Sequence, residues 1–313
     1  MPASRKKYRH LFGPVPSRRL GRSLGVDLVP PKTCCQNCVF CQLGRTTQTT
    51  VERKEYVETE AVLTELEHWL ANNGQADYIT LAGSGEPTLH SHFGRILAFL
   101  NAATDIPSVL LTNGTLLHLP NVRKSALRAD VVKISLSAWD QPSFEWVNRP
   151  DPTVTFKQVV QGYDAFRKMF KGQLWMEVFV INGMNADPTQ IKRIAALARR
   201  IAPDRIHLNT AVRPPAEDFV TPLSRDRLAA LTCLFEPPAE IIAEFKAPHQ
   251  APFQADADMI LAMLQRRPCT ARQIADVYDM RVTEVLKYHE ILIQAHKISA
   301  EIKNATLYYT ART

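Results

Sequence analysis

From Leu24 to Phe245 the chain alternates between short apolar segments and amphipathic ones, and no other feature narrows its fold so far. LGVDLV, DYITLA, SVLLTN, VVKISLS, LWMEVFVI, RIHLNT and EIIAEF are short, largely apolar and rich in β-branched residues, as parallel strands covered by helices should be. Helical patterns lie between them. TEAVLTELEHWLANNG offers Thr59 as a cap and stops at Gly74, and DPTQIKRIAALARR opens on Asp187 with Pro188 in its first turn. Repeated β–α units imply right-handed crossovers and an α/β sheet curling toward a barrel. In such folds the chemistry sits at the carboxyl edge of the strands. The distinctive residues fall there: CCQNCVFC follows the first strand, GSGEP the second, TNG the third, and Ser135 and Ser137 sit in the fourth.

After Phe245 the pattern changes. KAPHQAPFQADAD reads as a connector, and the remainder as three helices and a two-stranded wing, with Thr270 and Thr283 as cap candidates. The expected organisation is a basic arm over residues 1–22, a barrel over 23–246, a linker over 247–255 and a small winged helix-turn-helix domain over 256–313. The last of these carries eight Lys and Arg against seven Asp and Glu from Gln250 onward, a weak footprint for gripping a duplex. A docking or lid module that binds no nucleic acid explains it equally well.

The chain has 313 residues and a net charge of +7, with Arg5, Lys6, Lys7, Arg9, Arg18, Arg19 and Arg22 all preceding the first acid at Asp27. Such an arm suits an anionic substrate or a nucleic-acid backbone, or simply keeps the protein dissolved. No apolar run reaches the length of a signal peptide or a membrane span, so the sequence reads as cytoplasmic and free of membrane. Four of the six cysteines stand between Pro31 and Gly44, in PKTCCQNCVFCQLG. In a long chain without a secretion signal, that crowding favours a metal or cluster site over disulfides. Two registers compete: Cys34, Cys38 and Cys41, or Cys35, Cys38 and Cys41. Either places three thiolates on one loop. Structural zinc wants four ligands, while Cys233 and Cys269 stand alone far downstream. Three thiolates instead suit a cubane cluster with one iron left open.

Cys34, Cys38 and Cys41, with Phe40 before the last, resemble the signature of the radical S-adenosylmethionine superfamily. The resemblance implies a partial (β/α)6 TIM-like barrel and selects Cys34, Cys38 and Cys41 as ligands of a 4Fe-4S cluster, leaving Cys35 spare. It implies that S-adenosylmethionine binds the open iron. The reduced cluster then splits the cofactor, and the resulting 5′-deoxyadenosyl radical attacks a substrate. It also implies an external electron donor such as flavodoxin or ferredoxin. Gly83, Ser84, Gly85, Glu86 and Pro87 resemble the family's Gly-Gly-Glu loop, whose backbone meets the methionine amino group. Thr112 and Asn113 resemble the TNG of relatives of molybdenum-cofactor biosynthesis protein A. Ser135 matches a ribose-side serine, and Ser137 and Lys133 share its face. Phe40, Arg149 and Asn209 complete the expected cofactor contacts, with His207 a further candidate for adenine.

Glu177, a carboxylate inside an apolar strand, should be paired or useful. With Arg19 and Arg213 it is a candidate for substrate binding, and the front arginines are expected to reach over the barrel mouth. The opening GPVPSRRLGRSLG looks closest to uncharacterised relatives of the wyosine tRNA-base synthases, although no cysteine precedes Cys34 to hold those enzymes' second cluster. The substrate is accordingly an unidentified small or RNA-linked molecule. The competing reading is a redox-sensing transcription regulator that binds DNA through the winged domain.

Overall fold

The computed structural model describes residues 8–17, 19–72, 74–242, 256–265, 268–278, 280–303 and 306–312. Two strands, β1 (Leu11–Ser17) and β2 (Gly21–Val26), precede two minimal ones, β3 (Thr33–Cys34) and β4 (Gln48–Thr49). The alternating body runs through α1 (Thr59–Ala71), β5 (Tyr78–Leu81), α2 (Phe93–Ala103), β6 (Ser108–Leu111), α3 (Pro120–Ala126) and β7 (Val131–Ser135). It continues with α4 (Gln141–Val147), α5 (Phe156–Met169), β8 (Gln173–Phe179), α6 (Pro188–Ile201), β9 (Arg205–Asn209), α7 (Arg225–Thr232) and β10 (Glu240–Ile241). The C-terminal unit is α8 (Ala257–Leu264), α9 (Ala271–Tyr278), α10 (Val282–Gln294) and the hairpin β11 (Ile298–Lys303) and β12 (Thr306–Ala311).

Among the described residues the large sheet has eight strands in the order β1-β2-β5-β6-β7-β8-β9-β10. All neighbours from β2 to β10 are parallel, and only β1 runs antiparallel. This is a partial TIM-like barrel whose edges are β1 and β10. Alternation along each strand decides what each layer contains. Leu24, Ile79, Leu110, Val132, Met176 and Leu208 join Leu66, Leu97, Phe166 and Ile194 of the helices in the main core. The opposite faces of the strands line the barrel interior. Leu20, Val109, Val131 and Trp175 form its apolar lower layer, with Lys133 and Glu177 in contact above.

Residues 11–17 belong to the sheet, not to a free arm, because Leu11 pairs with Val26 and Ser17 with Gly21 across a tight hairpin. That hairpin turns at the amino edge of β2. Arg19 therefore enters the barrel from below, and Arg22 pairs with Asp77 at 3.6 Å at the same lower edge. Neither reaches over the mouth. Residues 1–7, Arg18 and the expected linker at 247–255 lie outside the described residues.

Asp187 caps α6 as expected, accepting the Thr189 N–H at 2.8 Å in a capping box with Gln190. Thr270 likewise accepts the Gln273 N–H at 3.0 Å. Thr59 is instead the first helical residue of α1, its N–H taken by the Glu55 carboxylate at 2.7 Å, and the backbone of Glu58 holds the cap position. Thr283 lies inside α10, which begins one residue earlier behind Arg281. No helix among the described residues is long and apolar enough to cross a membrane.

Candidate functional site

The loop leaving β2 carries the cysteines, and the neighbouring strand ends fasten it. Thr33 bridges Gly85, the Glu86 N–H donates to the Thr33 carbonyl at 3.0 Å, and the Lys32 N–H donates to the Ser84 carbonyl at 2.6 Å. A Cβ on Gly85 would fall 1.9 Å from the Thr33 carbonyl oxygen, and Gly83 has φ 122° with Asp27 against it. These glycines let two loops lie backbone to backbone. A second strap comes from the end of α4: Asn37 and Val39 donate to the carbonyls of Arg149 and Val147, and Asp151 donates to that of Cys35.

Cys35 is fully buried in the main core, whereas Cys34, Cys38 and Cys41 are only partly covered. The three are near enough that Cys34 and Cys41 both bear electrostatically on Cys38. Burial pushes the Cys34 thiol up to about 12 and the Cys38 thiol well above its ordinary value. Thiols so placed become thiolates only beside a strong positive centre. Among the described residues, no three His, Cys, Asp or Glu side chains are grouped for a single metal ion. A polynuclear group with one iron per thiol suits the trio better.

Side-chain amides approach two of the sulfurs. Asn113 Nδ2 lies 3.4 Å from Cys34 Sγ, and Asn148 Nδ2 lies 3.4 Å from Cys38 Sγ. Glu86 is hydrogen-bonded elsewhere, although its charge bears on Cys34. Its buried carboxylate accepts from the Thr88 N–H and hydroxyl, the Thr112 hydroxyl at 2.6 Å and the Asn113 N–H at 2.8 Å. Burial raises its affinity for a proton against the pull of those donors. Glu86 thus staples the ends of β5 and β6 together. Tyr163 of α5 does the same for the next pair, its hydroxyl reaching the carbonyls of Asn113 and Ser135, both at 2.7 Å.

The remaining sequence candidates separate into three groups. Phe40 stacks on Phe179 with centroids 4.2 Å apart, beside the sulfur loop. Arg149, with φ 44°, pairs with Glu217, which also takes Arg45 in a fork at 2.9 and 3.1 Å. Arg213 donates to Gln42, next to Cys41, at 3.1 Å. These stand at the carboxyl edge. Lys133 and Arg19 both contact one oxygen of Glu177, Lys133 at 2.9 Å, a layer deeper. Beside them His207 is buried in edge contact with Trp175, its Nδ1 without a hydrogen-bond partner among the described residues. Burial, then the Arg19 charge, lowers its pKa to about 4.

Ser137 and Asn209 each accept a hydrogen bond from the backbone. The Ser137 hydroxyl accepts the Phe179 N–H at 3.0 Å, and Asn209 Oδ1 accepts the Thr210 N–H at 3.0 Å. Ser135 offers its carbonyl to Tyr163. Sequence reasoning missed Asn148, Gln36, Tyr163, Arg45 and Glu217. Only Asn148 had an available signal, its place directly before Arg149 in VNRPD.

The radical SAM superfamily matches residues 28–200. The chain is 32% identical to a UPF0026 protein of Helicobacter pylori over 96% of its own length and 97% of that protein's. A UPF0026 protein of Methanocaldococcus jannaschii is 33% identical over 75% and 73%. A Brachyspira hyodysenteriae protein described as GTPase Obg is 35% identical over 98% of this chain, which spans 46% of that longer protein. Among solved structures, TYW1 with a lysine-pyruvate adduct bound aligns with a TM-score of 0.52 at 18% identity, covering 70% of this chain and 74% of that one. A radical SAM methyltransferase from Sphaerobacter thermophilus aligns at 0.50 and 15% identity, covering 70% and 65%. Both share the fold.

Proposed function

The chain belongs to the radical SAM superfamily, whose enzymes use a 4Fe-4S cluster and S-adenosylmethionine, and we propose that Cys34, Cys38 and Cys41 hold that cluster to cleave the cofactor reductively. The observation that carries the reading is the sorting of the cysteines: three partly covered thiols share one loop, with amides near two of them, while Cys35 lies in the core. When bound, the reduced cluster supplies the electron that splits the carbon–sulfur bond and leaves a radical able to take hydrogen from a substrate.

The rest of the work belongs to the chain. By the family resemblance, the Gly83–Pro87 loop and Thr112, held by Glu86, would receive the cofactor's methionine end. Phe40 and Phe179, stacked beside the cysteine loop, would help to keep water from it. Lys133, Glu177 and Arg19 form a charged floor in the barrel, the part of the site that would face substrate. The balanced charge of the C-terminal unit and the exposed Leu286, Ile293, Ile302 and Leu307 on α10 and its hairpin give the regulator reading no support.

The test is anaerobic reconstitution with iron and sulfide, followed by reductant and S-adenosylmethionine, with 5′-deoxyadenosine measured by mass spectrometry. The expected result is its release. A fully loaded, reduced protein that neither binds the cofactor nor releases the nucleoside would overturn the proposal. A small-molecule cell extract should accelerate release, and Glu177→Gln should blunt that acceleration. Equal stimulation of both proteins would remove Glu177 from the substrate side.

A further inference from the structure

Two amides sit against two of the three sulfurs, and one chain of buried hydrogen bonds joins them. Asn113 Oδ1 accepts the Thr115 N–H at 2.9 Å, and the Thr115 hydroxyl accepts Gln36 Nε2 at 2.9 Å. Gln36 Oε1 accepts from Asn148 Nδ2 at 3.2 Å and from the Cys38 thiol at 3.1 Å, and Asn148 Nδ2 itself lies 3.4 Å from Cys38 Sγ. Thr115, Gln36 and Asn148 are all buried. Asn113 is fixed further by its backbone N–H on Glu86. Neither amide can rotate without breaking a bond in a low-dielectric setting, where unmade bonds are costly. Backbone N–H groups act on the sulfurs as well, that of Gln36 on Cys34 and that of Leu43 on Cys41, and Cys41 has the charge of Lys32 in place of a side-chain amide.

An N–H pointed at a thiolate withdraws charge from it and favours whichever redox state of an attached cluster carries more negative charge. We propose that Asn113 and Asn148 are positioning residues that raise the reduction potential of the cluster through hydrogen bonds to Cys34 and Cys38, with Gln36 and Thr115 locking both amides. The inference rests on the cluster reading above. The step it tunes is the uptake of one electron by the oxidised cluster from an external reductant, with no protein bond made or broken. Burial of the loop works in the opposite sense, since a reduced cluster carries more negative charge into a poorly solvated site. The amides offset that burden and keep the cluster reducible.

The experiment uses the full chain reconstituted without oxygen, with iron and sulfide counted, and titrated with dithionite while the reduced cluster is followed by electron paramagnetic resonance. Asn113→Leu and Asn148→Leu should each make the midpoint more negative, lowering the reduced-to-oxidised ratio at a fixed potential about threefold per lost donor. The double variant should move further than either. Iron–sulfur stretching frequencies in resonance Raman spectra should rise in step, which a merely structural role would not produce. Should leucine block assembly, Asn113→Ser and Asn148→Ser are read in the same way. Fully loaded variants with unchanged midpoints at both positions overturn the inference. So does loss of the cluster in every variant, which would make the amides scaffold. A parental chain that takes up no cluster would instead sink the enzyme reading itself.

Discussion

The carboxyl edge of the barrel and the C-terminal unit bury their polar groups in opposite ways. At the barrel edge Glu86, Gln36, Thr115 and Asn148 are buried, and each is bonded to a named partner. In the C-terminal unit Ile260, Leu264, Ile274, Val285, Leu292 and Ile298 pack an apolar core. Its one buried histidine, His289, lies against Tyr309 with both ring nitrogens lacking hydrogen-bond partners among the described residues. The contrast separates a region that fixes atoms by directed bonds from one that holds together by non-directional burial. Chemistry needs the first kind. The second suits a docked support, and α8 and α9 do pack against the edge strand β1, with Gln273 reaching the Val212 carbonyl at 3.4 Å.

The sharpest way to break this comparison lies in the cysteines. Cys38→Ser should abolish iron binding, whereas Cys35→Ala should keep it and cost about 1 kcal/mol of stability through a lost buried contact. Iron and sulfide analysis beside a urea titration checks both. If Cys34→Ser keeps the full cluster, the ligand register is wrong.

Glu86→Gln comes next. The amide keeps one oxygen for Thr88 and Thr112 and turns its NH2 on the Asn113 N–H, donor against donor, so stability should fall by roughly 2–3 kcal/mol. A drop in the urea midpoint with an unchanged slope would register it. A neutral outcome would show that the barrel edge does not depend on directed bonds.

His289 tests the other half. Burial lowers its pKa from 6.5 to about 4. Between those values the unfolded chain binds the proton that the folded unit refuses. Stability of the C-terminal unit should therefore be full above about pH 6.5 and fall as pH drops toward 4, by about 1–3 kcal/mol. Hydrogen exchange of α10 amides at pH 7 and pH 5 reads this locally. His289→Phe should flatten the difference, and an equal pH response in that variant would assign it elsewhere.

The smallest effect is expected at Arg45. Its side chain is largely exposed beside Glu217, where solvent screens the pair. Arg45→Ala should leave the thermal midpoint within measurement error, because Arg149 still holds Glu217. A clear loss would mean that the rim of the site is as tightly built as its interior.

Much of this was readable in the chain itself. Short apolar runs in LGVDLV, DYITLA and VVKISLS marked strands, Asp187-Pro188 marked a helix start, and the crowding of cysteines in CCQNCVFC marked the candidate site. These are local regularities, imposed by strand and helix periods and by the reach of one loop. β1 was invisible because GPVPSRR has the look of a loop until Leu11 finds Val26 and closes a hairpin. The same closure, not the local sequence, sends Arg19 into the barrel from below.

Glu86 was visible as a motif residue, but its role was not. Only the parallel pairing of β5 with β6 brings Thr112 and Asn113 to its carboxylate. Asn148 lies 110 residues from the sulfur it meets, and its place before Arg149 in VNRPD says nothing of that partner. Sequence by itself determined which segments become strands and helices and which loop carries the thiols, since those choices depend on neighbours in the chain. The tertiary structure decided which polar groups face those thiols, since partners distant in sequence meet only when the sheet closes.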